Sequence, residues 1–538
     1  MSKKKRSKAV FKPYNPDQLS LLPLNLEEMI PANHVVRVVR SILDQVDLSI
    51  VLEKYKGGGS SSYHPKMLLS LLVYGYLNNI YSSRKLEQAV QSNIYFMWLC
   101  GMQRPDHNTI NRFRSEKLKG VLKQIFGQVV LLLAEQGLVD IKQIYVDGTK
   151  LEANANKYTF VWGKSIQRNR ARIADQLEEL WAYAEGVAKE ELMDTKPTTF
   201  EELDAQKVKQ TIDQINEALQ DKPVDKKVKQ KLNYGKKNWP QNLDKYEDQA
   251  QKMGDRNSYS KTDPDATFMR MKDDHMRNGQ LKAGYNWQLS TSNQYIVNYG
   301  IYQQPSDFTT LPHHLEDYHQ LYGSYPDCLV ADAGYGSEEN YTYLDQRQVE
   351  AYVKYPGFHQ EQKAKGKIKP KDVFRPQHLY HDQSGDYLVC PMGQKMENKG
   401  VIKTTKQSGY EQVAQVYQAK RCTDCPMRGP CHNSKGERVV QVNTTLNEYR
   451  ARAREKLLSE QGLAHRSQRP VDVEAVFGNI KQNKQFTRFL LRGIEKVSIE
   501  AGLMALAHNL AKVAKQKLEN TFWMASSIRW DLTMIWPK

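Results

Sequence analysis

Three carboxylates carry the chemistry this sequence can offer: Asp147, Asp332 and Glu474. Asp147 follows IKQIYV, where Ile144, Tyr145 and Val146 have the apolar and aromatic character of a short buried strand. Asp332 closes DCLVAD, a second such strand. Glu474 lies in VDVEAVFGNIK, whose Val473, Val476, Phe477 and Ile480 recur at helical spacing and share one face, with Glu474 and Lys481 along its flank. Carboxylate oxygens are hard ligands that suit Mg²⁺, an ion held by a few acids and several waters rather than by a closed cage. Two ions about 4 Å apart activate an attacking oxygen and stabilise a leaving one in phosphoryl transfer. Taken singly, an acid at a strand end or on a helix is ordinary, so this site depends on tertiary structure.

The elements that must position these acids follow in a telling order. After the strand carrying Asp147 come strands over Ala283 to Thr291 and Tyr295 to Tyr302, joined by a short turn, then a helix around Leu311 to Leu321. The strand carrying Asp332 follows, Gly334 and Gly336 permit a turn into a helix beginning near Ser337, and Val349 to Val353 supply a further strand. This is in outline an α/β catalytic core of RNase H-like, retroviral-integrase-like type, in which the first and fourth strands lie side by side and a later helix lends the third acid. The core is expected over 137–164 and 257–355, interrupted by a charged helical insertion at 165–256, read as a helical pair on either side of a break at Pro197. A β-rich insertion at 356–445 follows, then C-terminal helices at 446–518 that include patterns over Pro470 to Leu490 and Val497 to Leu518, and an aromatic tail at 519–538.

With 538 residues the chain exceeds one ordinary core, which predicts several lobes. Lys and Arg number 78 against 61 Asp and Glu, a net +17 that favours a polyanionic partner. Hydrophobic residues at 40% exclude a disordered polyelectrolyte, so the charge sits on a folded body. Residues 1–12 form a basic arm without an acid, and 13–136 has the apolar spacing of an all-helical N-terminal lobe for DNA binding or assembly. Within it, Asp106 caps a helix expected to present Asn108, Asn111, Arg112 and Arg114 outward, with Arg112 and Arg114 as candidate DNA contacts. No signal-type stretch and no run of about 18 apolar residues is present, so a soluble protein is expected.

Only six cysteines occur, too few for a disulfide scaffold and consistent with a reducing cytosol; Cys390, Cys422, Cys425 and Cys431 crowd together. Three readings stand: a structural Zn²⁺ site of four thiolates, with His432 as a substitute ligand, an iron–sulfur cluster on the same ligands, or reduced thiols packing a small subdomain. Lys150 and Asn154 follow Asp147 closely enough to reach a phosphate or to orient a carboxylate. Asp263 and Asp265 suit either metal support or a turn, and Trp287 suits the core better than base stacking.

The segments IYVDGTKLEANANKYTFVWGKS, VADAGYGSEEN and RSQRPVDVEAVFGNIKQNKQFTRFLLRG resemble the three acidic motifs of DDE transposases of bacterial insertion sequences, most closely the IS1182 group related to the IS4-type enzymes. HPKMLLSLLVYGYLNNIYSSRKLEQAVQSNIYFMWLCGMQRPDHNTINRFR resembles that group's helical N-terminal domain. The resemblance implies Asp147, Asp332 and Glu474 as catalytic, metal-holding triad and Mg²⁺ or Mn²⁺ as cofactor. It implies double-stranded DNA as partner, both terminal inverted repeats and target, and a homo-oligomeric synaptic complex in the bacterial cytoplasm at the nucleoid. The implied activity is cleavage at the element's ends and strand transfer; an RNase H-fold metal nuclease without strand transfer and a catalytically inactive DNA-binding relative are the alternatives. IS4-type enzymes carry a Tyr, Arg, Glu, Lys signature. Lys481, seven residues after Glu474, satisfies it, whereas Pro470 stands at the arginine position with Arg469 one step away, and Leu463 stands at the tyrosine position if Arg466 is the arginine. Lys481, Arg469, Arg466 and Lys150 are thereby candidate DNA-holding residues.

Overall fold

The computed structural model describes residues 25–55, 62–188, 192, 200, 204–271, 279–364 and 372–533, with side chains described as far as 517. The basic arm at 1–12 lies outside the described residues. Among those described, no helix is long and apolar enough to cross a membrane.

The central sheet explains how distant acids can meet. Strand β1 (Gln143–Glu152) is followed by β2 (Phe160–Trp162), and after the helical insertion come β3 (Ser258–Ser260), β4 (Thr267–Arg270), β5 (Leu281–Ser292) and β6 (Tyr295–Tyr302). Then come β7 (Cys328–Ala331) and β8 (Glu350–Val353). The sheet order is β4-β5-β1-β7-β8 with β6 also on β5, while β2 and β3 form a separate pair. β1 runs antiparallel to β5 and parallel to β7, and β7 runs parallel to β8. A parallel pair needs a crossover, here the helix Leu311–Tyr322, and its strands are buried on both faces: all four residues of β7 are buried.

β1 does not end at Asp147. Its parallel pairing with β7 stops at Val146 opposite Ala331, but antiparallel pairing with β5 carries it on to Glu152 opposite Gly284. The acid therefore marks the end of one ladder within a longer strand, which the run of polar residues after it concealed.

The N-terminal region is helical as expected, with Pro65–Leu77, Ser83–Ser92 and Leu122–Glu135 as its longer helices; Leu68, Leu69, Leu72, Val73 and Tyr76 are all buried. It has no core of its own. Its apolar residues belong to one cluster with Ile144, Val330 and Leu503, so the lobe is fused to the central sheet through the long C-terminal helix Ile494–Thr533. That helix is longer than the Val497 to Leu518 pattern and includes much of the stretch read as a separate tail.

The insertion holds three described helices rather than a pair, Gly163–Val187, Ala205–Ala218 and Lys226–Met253. Leu177, Trp181, Ile212, Ile215 and Trp239 are buried in a separate cluster, so this is a small bundle with its own core. The expected break at Pro197 lies outside the described residues. The β-rich insertion is an antiparallel sheet of β9 (Tyr380–Asp382), β10 (Tyr387–Val389), β11 (Lys395–Thr405), β12 (Glu411–Gln418) and β13 (Val439–Val442) in sequential order. Its tie to the core runs through buried Glu338, which accepts hydrogen bonds from Tyr410, Gln412 and Asn443.

The helix expected from Pro470 to Leu490 is interrupted. Glu460–Arg469 leads into a π-helical turn at Pro470–Glu474, a short α-helix at Ala475–Gly478 and a second π turn at Asn479–Asn483. Pro470 has no N–H to donate, and π turns recur at functional sites.

Candidate active site

The register delivers the first two acids. Val146 and Ala331 are parallel neighbours, so Asp147 and Asp332, each the next residue, emerge side by side. Asp147 Oδ1 accepts from the Gly148 amide at 2.8 Å, and Asp332 Oδ1 accepts from the Gly334 amide at 2.8 Å. These local bonds leave the Oδ2 atoms to face the third segment.

At the meeting point stands Arg469. Its Nη2 lies 3.0 Å from Asp147 Oδ2 and 3.8 Å from Asp332 Oδ2, and its Nη1 lies 3.2 Å from Glu474 Oε1. The π turn makes the last contact possible: on an α-helix, residues five apart point about 140° away from each other, whereas an i to i+5 repeat brings them onto one side. The site is graded in exposure, with the Asp147 side chain at 8%, Asp332 at 39% and Glu474 at 54%. It therefore opens on the Glu474 side.

The donors are of the right chemistry for a divalent cation, and a cationic group already sits among them. As arranged, no group of three or more His, Cys, Asp or Glu side chains among the described residues is set to hold a metal ion.

Around the acids lies a polar support that sequence reasoning missed. Asp307 Oδ1 accepts from Asn286 Nδ2 and Gln288 Nε2, both at 2.7 Å, and Tyr335 donates to Gln288 Oε1. A Cβ added at Gly148 would lie 2.8 Å from Asp307 Oδ1, and one at Gly334 would lie 3.6 Å from Asp307 Oδ2. Asp307 is thus wedged between β1 at Gly148 and the turn after β7 at Gly334, and only glycine at 148 leaves room for it. Burial first, then the carboxylates of Asp307, Asp147 and Asp332, pushes the Tyr335 phenol well above its ordinary value. Lys354 was missed too. Its amide donates to Ala331 at 3.3 Å, which puts it beside Asp332; burial and the like charges of Arg469 and Arg466 pull its ammonium below the ordinary value, against the pull of Asp332 and Glu474. The residue after an expected strand parallel to that of Asp332 was a usable signal for Lys354. Asp307, five residues past β6, offered none.

The other expected residues divide. Lys481 is half-buried on the second π turn, Lys150 is half-buried on β1, and Arg112 is exposed. Arg466 donates to the Leu457 carbonyl and stacks over Phe358, 5.0 Å from the ring centroid. Two arginines need correction. Arg469 is buried, with its guanidinium committed to carboxylates and not presented to a phosphate. Arg114 is also buried: four residues after buried Ile110, it lies on that residue's helix face and donates to Tyr81 O at 2.8 Å and Tyr76 Oη at 3.3 Å. Asp106 does cap its helix, accepting from the Thr109 amide. Asp263 and Asp265 accept the Gly493 and Ile494 amides at the start of the C-terminal helix, Asn154 donates to Leu490 O, and Trp287 is fully buried, so these serve structure.

The four cysteines, all reduced, line one cavity of about 20 Å³ with His432 and Arg438. Arg438 Nη1 donates to Cys431 Sγ at 3.0 Å, and backbone amides of Arg438 and Gln394 approach Cys422 Sγ and Cys390 Sγ at 3.4 Å. As with the acids, they are not arranged to hold an ion.

Comparison with known proteins now sets the class. Residues 389–514 match the family model described as Transposase DDE domain, and residues 24–116 match Transposase domain (DUF772). Both matched stretches are thus similar to domains of transposases. Together they are typical of IS1182-family transposases, in keeping with the resemblance of the acidic motifs. The matched DDE segment contains Glu474, Lys481 and all four clustered cysteines, while Asp147 and Asp332 precede it. No curated protein and no solved structure matches the chain.

Proposed function

We propose that this transposase cuts DNA at the ends of its own element and joins the freed 3′ ends to target DNA, using Asp147, Asp332 and Glu474 as a metal-holding triad in an RNase H-like core. The observation that carries the reading is the convergence of three carboxylates, from β1, β7 and the π turn, upon a single guanidinium. The sheet order supports the fold: β1 lies between β5, its antiparallel neighbour that itself pairs antiparallel with β4 and β6, and the parallel strands β7 and β8. Bound among these acids, Mg²⁺ or Mn²⁺ would supply activation of the attacking oxygen and charge stabilisation on the leaving one.

The chain's own residues supply the rest. Asp147 and Asp332 are fixed by strand register and by their amide bonds, so their oxygens need no reorganisation when charge develops. Lys354, Arg466 and Lys481 lie on the segments flanking the acids and would neutralise phosphates entering from the Glu474 side. The net charge of +17 would draw the duplex by counterion release, with end recognition and synapsis of two copies following. The setting is a bacterial cytoplasm, on nucleoid DNA.

Purified protein incubated with labelled element ends should cut them in Mg²⁺ and not in EDTA, and should join paired ends to a target plasmid. Asp332→Ala should bind the ends in a salt-sensitive manner and leave them intact. Cutting without joining would reduce the protein to a nuclease, and cutting by Asp332→Ala would overturn the triad.

A further inference from the structure

A buried charge is costly unless paired, and Arg469 is both deeply buried and permanently charged, with its side chain 7% exposed. Its Nη atoms meet all three acids, while its buried Nε has no hydrogen-bond partner among the described residues. One positive charge against three negative ones leaves the cluster anionic, so the pairing holds the carboxylates together without satisfying them. Divalent ions bound to the same oxygens would lie within a few ångströms of the guanidinium, where like charges repel strongly. Cation and guanidinium therefore compete for the same acids.

The chain also provides a place for Arg469 to yield. It is the last residue of the helix Glu460–Arg469, directly before Pro470 and the π turn, where the regular backbone ladder is broken. Glu474, its partner across that turn, is the most exposed of the three acids.

We propose that Arg469 is a built-in counter-cation: a positioning residue that keeps Asp147, Asp332 and Glu474 gathered before metal arrives, and that metal must displace. This rests on the reading of the three acids as a metal site. Its consequence is a protein whose metal affinity is held down until the guanidinium moves.

The test uses the full chain and Mn²⁺ alone, without DNA, followed by isothermal titration. Arg469→Gln should bind Mn²⁺ at least about tenfold more tightly than the unaltered protein, because a competing charge is gone. Arg469→Lys, which keeps the charge, should stay within about threefold of it. In EDTA, Arg469→Gln should melt at lower temperature than the unaltered protein, and Mn²⁺ should restore the loss. Equal or weaker Mn²⁺ binding by folded Arg469→Gln overturns the proposal. Should that variant fail to fold, modification of Arg469 by phenylglyoxal in the unaltered protein, read by mass spectrometry, decides: it should rise on adding Mn²⁺, and unchanged protection overturns the proposal. Asp147→Asn separates the two claims. If it loses Mn²⁺ binding while Arg469→Gln gains none, only the counter-cation fails; if neither the unaltered protein nor Arg469→Gln binds Mn²⁺, the metal-site reading fails with it.

Discussion

Asp147, Asp332 and Glu474 lie far apart in the chain yet share one guanidinium, whereas Cys390, Cys422, Cys425 and Cys431 lie close together in the chain and share the wall of a small cavity. Each group encloses a buried arginine, Arg469 among the acids and Arg438 among the thiols. What differs is the support. The acids sit at the end of a parallel β-ladder in the main core, buttressed by Asp307, Gln288 and Tyr335; the thiols sit on the turns of a five-stranded sheet whose own core is a handful of residues. Convergence follows from strand register and packing more than from spacing in the sequence.

Four experiments would break or sharpen that contrast. The largest effect is expected from alanine at Asp147, Asp332 or Glu474, each lowering the initial rate of end cleavage by on the order of 10³-fold. Cys425→Ser should leave that rate unchanged, and a loss as deep as the acids show would erase the distinction between the clusters.

Acid should weaken the core that carries the site. His508 Nδ1 accepts from Asn479 Nδ2 on the second π turn and its Nε2 donates to Gln294 O, and burial lowers it from the usual 6.5 to about 4; buried His314 is also held well below its usual value. A histidine neutral in the fold binds its proton more readily once unfolded. The stability it confers is complete above about pH 6.5 and is lost as pH falls towards 4, worth about 3 kcal/mol for His508. Denaturant midpoints at pH 7.5 and 4.5 measure this, and His508→Gln should flatten the dependence.

Gly148→Ala forces a methyl group against Gln288 and Asp307, at a cost of about 2 kcal/mol in unfolding free energy and a matching loss of cleavage. Gly436→Ala, near the thiols and with open space around it, should be silent in both assays. The smallest effect belongs to Cys425→Ser, below about 1 kcal/mol in the same denaturant titration, since Cys425 is only half-buried.

The alternation of apolar strands and helices made most of the core legible in the sequence: β6 falls on the expected Tyr295 to Tyr302, Ser337 caps the expected helix, and the helix face of Val473, Val476, Phe477 and Ile480 is buried. Asp332 follows a strand end and Glu474 stands on a helix flank, positions a local pattern can mark, whereas Asp147 lies within β1, where only the ladder with β7 ends. Arg469 was visible as a residue but not in its role, since an α-helical reading points it away from Glu474 and only the π turn reverses this. Arg114 needed no π turn to be read correctly: it stands four residues after Ile110, on the buried face of its helix. Asp307 left no trace because its importance arises from the absence of a side chain at Gly148, on a strand distant in the chain.

The most direct test of the central claim is cleavage of labelled element ends by Asp332→Cys in Mg²⁺ and in Mn²⁺. A thiolate is a poor ligand for Mg²⁺, and Mn²⁺ tolerates sulfur better. The account predicts no cutting in Mg²⁺ and recovered cutting in Mn²⁺, while the unaltered protein cuts in both; undiminished cutting by Asp332→Cys in Mg²⁺ would contradict it.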